Sequence, residues 1–319
     1  MSYKNAINQQ QYPPLPDNVR GVQPGGGVCY SIELAWGRAR RWYLKRFRPA
    51  YIRRMAELRR GETAGAPHEV LDPRDLKYCS NQCTAHWAPE HDPFLWRGGL
   101  PFARWGLAEL QIMGWPLAGL SIALGSPGPP WCWAAAVPLV MLGLVLYFFR
   151  DPWRDVPEDA GAIVSPADGV IAEITELDHY DFIDGPAVRI GIFLSIFNVH
   201  INRAPRASRV AAMHYKPGEF LNALNPESAI RNEFMWIGLE DAARPGVRMA
   251  VRQISGLLAR RIVCALRPGQ SVRRGEKFGM IKLGSRTELI LPQGAVQVEA
   301  TVGQAVKAGT TILARFRSE

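Results

Sequence analysis

Cysteine is scarce in this chain. Five residues (Cys29, Cys79, Cys83, Cys132 and Cys264) in 319 are odd in number and scattered, which excludes a secreted disulfide framework and fits a reducing compartment. Charge of one sign is scarce as well, outside a single segment. The formal net charge is +9, but residues 38–60 hold ten Lys or Arg against Glu57 alone. The remainder is therefore neutral overall, which argues against a broad nucleic-acid surface, and no nucleic acid is expected as a partner. The first residues lack the basic, apolar, small pattern of a signal peptide. Cys79, Cys83, His86 and His91 have zinc-type ligand chemistry at nearly usable spacing, but the segment reads as a polar loop with incidental Cys and His, and no metal is expected.

Four regions are present. Residues 1–30 are rich in Gln, Asn, Pro and Gly without helical or strand period and read as a disordered tail. Residues 31–104 form a basic helical and irregular extension. Ile32, Trp36, Tyr43 and Phe47 recur near helical spacing among arginines, and Pro49 suits the first position of a second helix. Such a helix suits either an anionic membrane surface or packing on the rest of the protein. Residues 105–150 hold two apolar stretches, 107–124 and 131–149, around a Gly-Ser-Pro-Gly-Pro-Pro turn. A bilayer needs about 20 apolar residues, so the second is a credible span and the first a marginal one. Arg97 and Arg104 precede the pair and Arg150 and Arg154 follow it. This pattern fits a hairpin in the cell's inner membrane with both ends, and the domain beyond, facing the cytoplasm.

From residue 151 to 319 the pattern changes to short strands and Gly/Pro turns. Gly269-Gln270-Ser271-Val272-Arg273-Arg274-Gly275 is echoed by Gly303-Gln304-Ala305-Val306-Lys307-Ala308-Gly309, each followed by an apolar strand. Paired turns of this kind resemble barrel-sandwich, lipoyl-like domains. The fold class expected is α+β, with a mostly β C-terminal domain behind a helical, membrane-associated N-terminal region. Lys282 lies inside a strand pattern rather than at a hairpin tip, which makes it a poor site for a lipoyl or biotinyl group.

The stretch from Phe278 to Pro292 reads as strand, Gly284-Ser285 break, strand. The Ser285 hydroxyl can attack the Gly284 carbonyl carbon, because glycine leaves the approach open and tolerates unusual backbone angles. The peptide then becomes an ester. β-Elimination leaves dehydroalanine, and hydrolysis releases ammonia and leaves a pyruvoyl group at position 285. An isolated Leu-Gly-Ser is more often a plain turn. Here Ser165-Pro166-Ala167-Asp168-Gly169 and Phe193 to Pro205, with His200, stand beside it. Asp168, His200 and Ser285 supply an acid, a base and a hydroxyl.

Together with Phe148-Phe149-Arg150-Asp151-Pro152, Tyr215-Lys216-Pro217-Gly218-Glu219-Phe220, Asn232-Glu233 and Ala259 to Cys264, these segments resemble the phosphatidylserine decarboxylase family. The likeness is to its shorter, archaetidylserine-decarboxylase-like branch, and it covers residues 137 to 319. The resemblance implies self-cleavage between Gly284 and Ser285, giving β and α chains of one precursor. It also implies a covalent pyruvoyl cofactor and decarboxylation of phosphatidylserine, or another serine lipid, at a membrane. It implies that Asp168 and His200 assist the serine. Many members carry two histidines three residues apart here, whereas this chain has His200 and then Arg203, so His200 serves both steps or His214 helps. A membrane-anchored scaffold with an inert Ser285 is the alternative of another class. The sequence leaves a homo-oligomer open.

Overall fold

The computed structural model describes residues 12–126, 128, 131–221, 227–257, 261–282 and 285–317. It mixes helix and sheet, with a curled, half-barrel sheet of eight strands in the C-terminal part. The helices are α1 (Val28–Phe47), α2 (Pro49–Leu58), α3 (Leu107–Gly125), α4 (Ala136–Phe148) and the single turn α5 (Ser228–Arg231). The strands are β1 (Ala162–Val164), β2 (Gly169–Tyr180), β3 (Gly185–Leu194), β4 (Ile201–Arg203), β5 (Ser208–Lys216), β6 (Phe234–Asp241) and β7 (Arg248–Ser255). They continue with β8 (Arg261–Cys264), β9 (Ser271–Val272), β10 (Lys277–Lys282), β11 (Ser285–Pro292), β12 (Val296–Val298), β13 (Ala305–Val306) and β14 (Ile312–Phe316).

The large sheet runs β13-β2-β3-β11-β7-β6-β5-β9, and β1-β14-β12 and β4-β10-β8 form two smaller sheets. Burial along the strands follows from this order. Near the edge, β5 alternates buried and open positions, whereas central β11 is buried on both faces from Ser285 to Leu291. The internal repeat closes both edges in the same way. Gly269 N–H donates to Val210 O, and Val210 N–H donates to Gln270 O; Gly303 and Gln304 make the same pair of bonds with Ile171. The first and last glycines of each repeat have φ between 74° and 87°, a region open to glycine and strained for other residues.

The N-terminal half is clasped onto this domain. The expectation of a structureless tail fails over its described part, residues 12–30. Val22 is fully buried, its N–H donates to Tyr78 O (2.9 Å), and its carbonyl accepts from Cys264 N–H (2.8 Å). Composition gave no sign of this, because the strap gains its stability from backbone bonds to distant residues. Residues 1–11 lie outside the described residues. Pro49 opens α2 as its sequence suggests. The arginines of α1 are partly claimed internally, Arg40 by Asp72 and Arg41 by Asp75, while Trp36 and Trp42 stay exposed. Cys79 and Cys83 are buried with the thiols directed at main-chain carbonyls, and Cys83 packs in a small core with Met55, Val70 and Trp87.

Helices α3 and α4 pack as an antiparallel pair, with Gly114 facing Leu142 and Gly125 facing Ala135. Their outward residues, including Trp115, Ile122, Val137 and Val140, are exposed. The segment Arg104–Gly125 is long and apolar enough to cross a membrane, whereas Cys132–Phe148 is shorter. The pair is rooted at both ends. Ala103 N–H donates to Phe149 O (2.7 Å), and Phe148 and Phe149 pack with Val199, Ile201 and Met280. Glu109, in the first turn of α3, pairs with buried Lys282 at the end of β10, and the Lys282 ammonium also reaches Gln23 of the strap (3.1 Å).

Breaking a buried pair from one side leaves a charge uncompensated, which costs about 3 kcal/mol or more. Glu109→Leu and Lys282→Met are therefore each expected to lower the thermal unfolding temperature of the whole chain, and the double variant to recover most of the loss. Additive losses in the double variant would show that the pair is not coupled.

Candidate active site

The site is built around the first residue of β11. Ser285 pairs with Leu194 of β3 on one side and Ser255 of β7 on the other, and it is fully buried. The ladder extends one strand further on each side. Ser255 N–H donates to Glu233 O (2.9 Å), and Val170 of β2 lies opposite Phe193, which places Gly169 and Asp168 at the level of Leu194. Gly169, Leu194, Ser285, Ser255 and Glu233 thus form a row across one end of the sheet, with Asp168 one residue beyond it. With strands about 4.8 Å apart, Gly169 and Glu233 each stand roughly 10 Å from the serine backbone. Leu283 and Gly284, the other residues expected at the junction, lie outside the described residues.

This end of the sheet is polar inside. Gln253 donates to Asn202 (2.9 Å), and Asn202 donates to Thr287 (3.1 Å), two residues beyond the serine. Yet four buried side-chain oxygens find no partner among the described residues: Glu233 Oε1, Gln253 Oε1, Ser255 Oγ and Ser285 Oγ. Residues directly opposite in an antiparallel ladder, and those two apart along a strand, share a face, so all four are on the side of Ser285. Buried polar atoms normally find partners; a cluster without them marks a place made for chemistry or for a polar ligand.

His200 lies across β10 from the junction, its carbonyl accepting from Ile281 N–H (3.1 Å). It is buried, its ring packs on Phe148 with centroids 4.5 Å apart, and Nδ1 lies 2.9 Å from Asn198 O. That contact requires the proton on Nδ1 and makes Nε2 the basic nitrogen. Burial, reinforced by Arg150, lowers its pKa to about 4, so the imidazole is neutral at physiological pH. Arg150 also ties the loop before His200, donating to Phe197 O (2.8 Å).

Asp168 sits in the expected turn, but its carboxylate is engaged elsewhere. One oxygen accepts from Arg154 (2.6 Å) and the other from Ala308 N–H (2.8 Å). The turn is nevertheless joined to the site, since Arg203 N–H and the Asn202 amide both donate to Pro166 O. Gly169 is required there, as a Cβ would strike Phe193 O. His214 is opposite Trp236 on β5, away from the junction row. Tyr215 to Phe220 and Asn232-Glu233 meet through the Glu219–Asn232 bridge, and Asn232 donates to Ser255 O (2.7 Å).

Ser255 and Gln253 had no sequence signal, since each lies in an ordinary strand pattern. Among the described residues no group of three His, Cys, Asp or Glu side chains is arranged to hold a metal.

A partnerless serine at the head of a doubly paired strand, with a neutral histidine across the preceding strand, suits a proenzyme that processes its own backbone. The sequence profile described as phosphatidylserine decarboxylase matches residues 141–314. The chain is 52% identical over 244 residues to the phosphatidylserine decarboxylase proenzyme of Rhodopirellula baltica, covering 76% of this chain and 99% of that one. It is 42% identical over 185 residues to the proenzyme of that name from Carboxydothermus hydrogenoformans, covering 58% and 85%, and 45% identical over 178 residues to that of Desulfotalea psychrophila, covering 56% and 82%. The chain belongs to the phosphatidylserine decarboxylase family, a family of carboxy-lyases.

Glu233 gives the site a pH signature. Burial lifts its pKa from 4.5 to about 7, against the opposing pull of Arg261 and Tyr215. As pH rises from 4.5 to 7 the unfolded chain ionises this group while the folded chain holds its proton, so its contribution to stability falls over that window. The shift corresponds to about 3 kcal/mol. Relative to wild type, Glu233→Gln is expected to become steadily more stable between pH 5 and pH 8, as read by thermal unfolding at several pH values. A constant difference would show that the carboxyl does not titrate there.

Proposed function

We propose that this chain is a phosphatidylserine decarboxylase that matures by cutting itself between Gly284 and Ser285 and then converts phosphatidylserine to phosphatidylethanolamine and CO2. The observation that carries the reading is Ser285 Oγ, buried at the first residue of β11 without a hydrogen-bond partner among the described residues. The ladder on both sides holds the serine backbone in place, next in sequence to the carbonyl it would attack.

His200 is the base. With the proton on Nδ1 and a pKa near 4, Nε2 is unprotonated at neutral pH and can take the hydroxyl proton as Ser285 attacks the Gly284 carbonyl. The ester formed undergoes β-elimination and hydrolysis, releasing ammonia and the upstream chain. The pyruvoyl group left at position 285 supplies a ketone that condenses with the substrate amine and takes up the electron pair left by CO2. The residues fit such a group, because the partnerless oxygens of Ser255, Gln253 and Glu233 surround a buried, water-poor end of the sheet. Exclusion of water from this buried end favours loss of the carboxylate charge as CO2. Asp168 would assist by holding the turn that anchors Asn202 and Arg203; to act on His200 directly, its pair with Arg154 has to open.

The paired turns of the internal repeat support a barrel-sandwich assignment for residues 151–319. The exposed apolar face of α3 and α4, with Arg104 and Arg150 at their roots, supports a hairpin in the cytoplasmic membrane that brings the lipid to the domain. The β and α chains stay together through the pairing of β11 with β3 and β7.

Denaturing intact-mass analysis of wild type is expected to give fragments 1–284 and 285–319, the shorter with a carbonyl-reactive, blocked N-terminus, whereas Ser285→Ala gives one chain. His200→Ala is expected to slow cleavage by about 10²-fold or more. A wild-type chain that stays whole, or one that cuts itself but releases no CO2 from phosphatidylserine, would overturn the reading.

A further inference from the structure

A cavity of about 290 Å³ opens at the foot of α3, between α1, the segment around Arg74 and the segment 94–100. It lies outside the portion matched by the family profile. Its walls are of two kinds. Trp36, Trp96 and Ile112 are apolar and exposed, and Arg74, Arg97 and Arg104 are cationic. Glu33 is its one carboxylate, and Glu33 is already held by Lys77 (2.6 and 2.8 Å) and by the Tyr78 hydroxyl.

The three guanidiniums are crowded, and the carboxylates that act on Arg74 and Arg97, namely Glu33, Asp72 and Asp75, are already paired with Lys77, Arg40 and Arg41. Among the described residues none of them makes an ion pair or a side-chain hydrogen bond; Arg97 is held only over the Phe94 and Trp96 rings, at 4.9 and 5.4 Å. Burial, then Arg74 and Arg104, press Arg97 below the ordinary arginine range, and burial with Arg40 does the same to Arg74. Cations brought together this way are stabilised by a shared anion, and guanidinium forks match phosphate oxygens. The position selects the source of that anion. Arg104 begins the segment long enough to cross a bilayer, so the cavity stands at headgroup depth, with Trp36 and Trp96 as interfacial aromatics.

We propose that this cavity holds the phosphodiester of an anionic phospholipid whose acyl chains lie along α3, at a site separate from Ser285. The placement of the acyl chains rests on the hairpin reading of α3 and α4. The net positive lining favours a headgroup with no cation of its own, such as phosphatidylglycerol, over phosphatidylcholine. The lipid would pin α1, the 94–100 segment and the root of α3 together.

The test uses the whole chain in a nonionic detergent. Phosphatidylglycerol retained after gel filtration is measured by mass spectrometry across a titration, and partition into phosphatidylcholine vesicles is measured beside it. Arg74→Gln/Arg97→Gln/Arg104→Gln is expected to raise the half-saturating lipid concentration at least about tenfold, the loss of one or more charge-assisted bonds, with vesicle partition unchanged. Arg46→Gln/Arg53→Gln/Arg54→Gln, which removes equal charge from exposed positions of α1 and α2, is expected to bind as wild type. The proposal is overturned if the first variant retains the lipid as wild type does, if the second loses as much, or if phosphatidylcholine binds equally well. Displacement by an equal concentration of glycerol phosphate would overturn the lipid assignment in favour of a soluble phosphate ligand. Failure of wild type to enter neutral vesicles would overturn the hairpin, while phosphatidylglycerol retention still decides the cavity.

Discussion

Strand β11 is hydrogen-bonded on both sides from its first residue, to Leu194 of β3 and to Ser255 of β7. Much else depends on that constraint. A serine at a strand head would ordinarily turn its hydroxyl to water or to a neighbouring backbone group. Here the backbone is pinned twice, the side chain faces inward, and Oγ is left without a partner. Unsatisfied buried oxygen costs about 1–3 kcal/mol, and four such oxygens lie together at this end of the sheet. The rest of the sheet offsets the cost with a continuous apolar interior from Ile190 through Leu289 and Val251 to Ile237. On the outer face Arg286, Glu288 and Arg252 pair with one another around Glu173 and Ala229.

Burial sets the chemistry as well as the packing. The same loss of water that lowers His200 to about 4 raises Glu233 to about 7, because in both cases the charged form is disfavoured. Near pH 7 the result is a neutral imidazole able to accept a proton beside a carboxyl that is only partly ionised.

The two strands within 278–292, the Asp168 turn and the echo of 269–275 in 303–309 were legible because they are local, while the break expected between those strands lies outside the described residues. Short-range alternation and glycine positions specify them, and β10, β11 and the two edge turns follow. His200 was legible only as part of a motif. Ser255, Gln253, the strap at 19–27 and the Lys282–Glu109 pair were not legible, for a common reason: each acquires its role from a partner far away in sequence. Glu109 interrupts the apolar stretch 107–124, and it is buried with Lys282, which lies 173 positions later. Asp168 shows the converse, since its residue type suggested a catalytic acid while its two oxygens went to Arg154 and Ala308.

The helical pair and the site share residues rather than merely proximity. Phe148, in the last turn of α4, stacks on the His200 ring, and Arg150 holds the loop that presents it. Glu109, in the first turn of α3, meets Lys282, the last described residue before the junction. Each end of the pair therefore contacts one of the two strands bracketing the serine's upstream side. Tilting or withdrawing the helices would move Phe148 and Glu109 together, and with them His200 and the end of β10. Since a displacement of about 1 Å at a reacting centre can cost 10²-fold in rate, the seating of α3 and α4 is part of the active-site geometry.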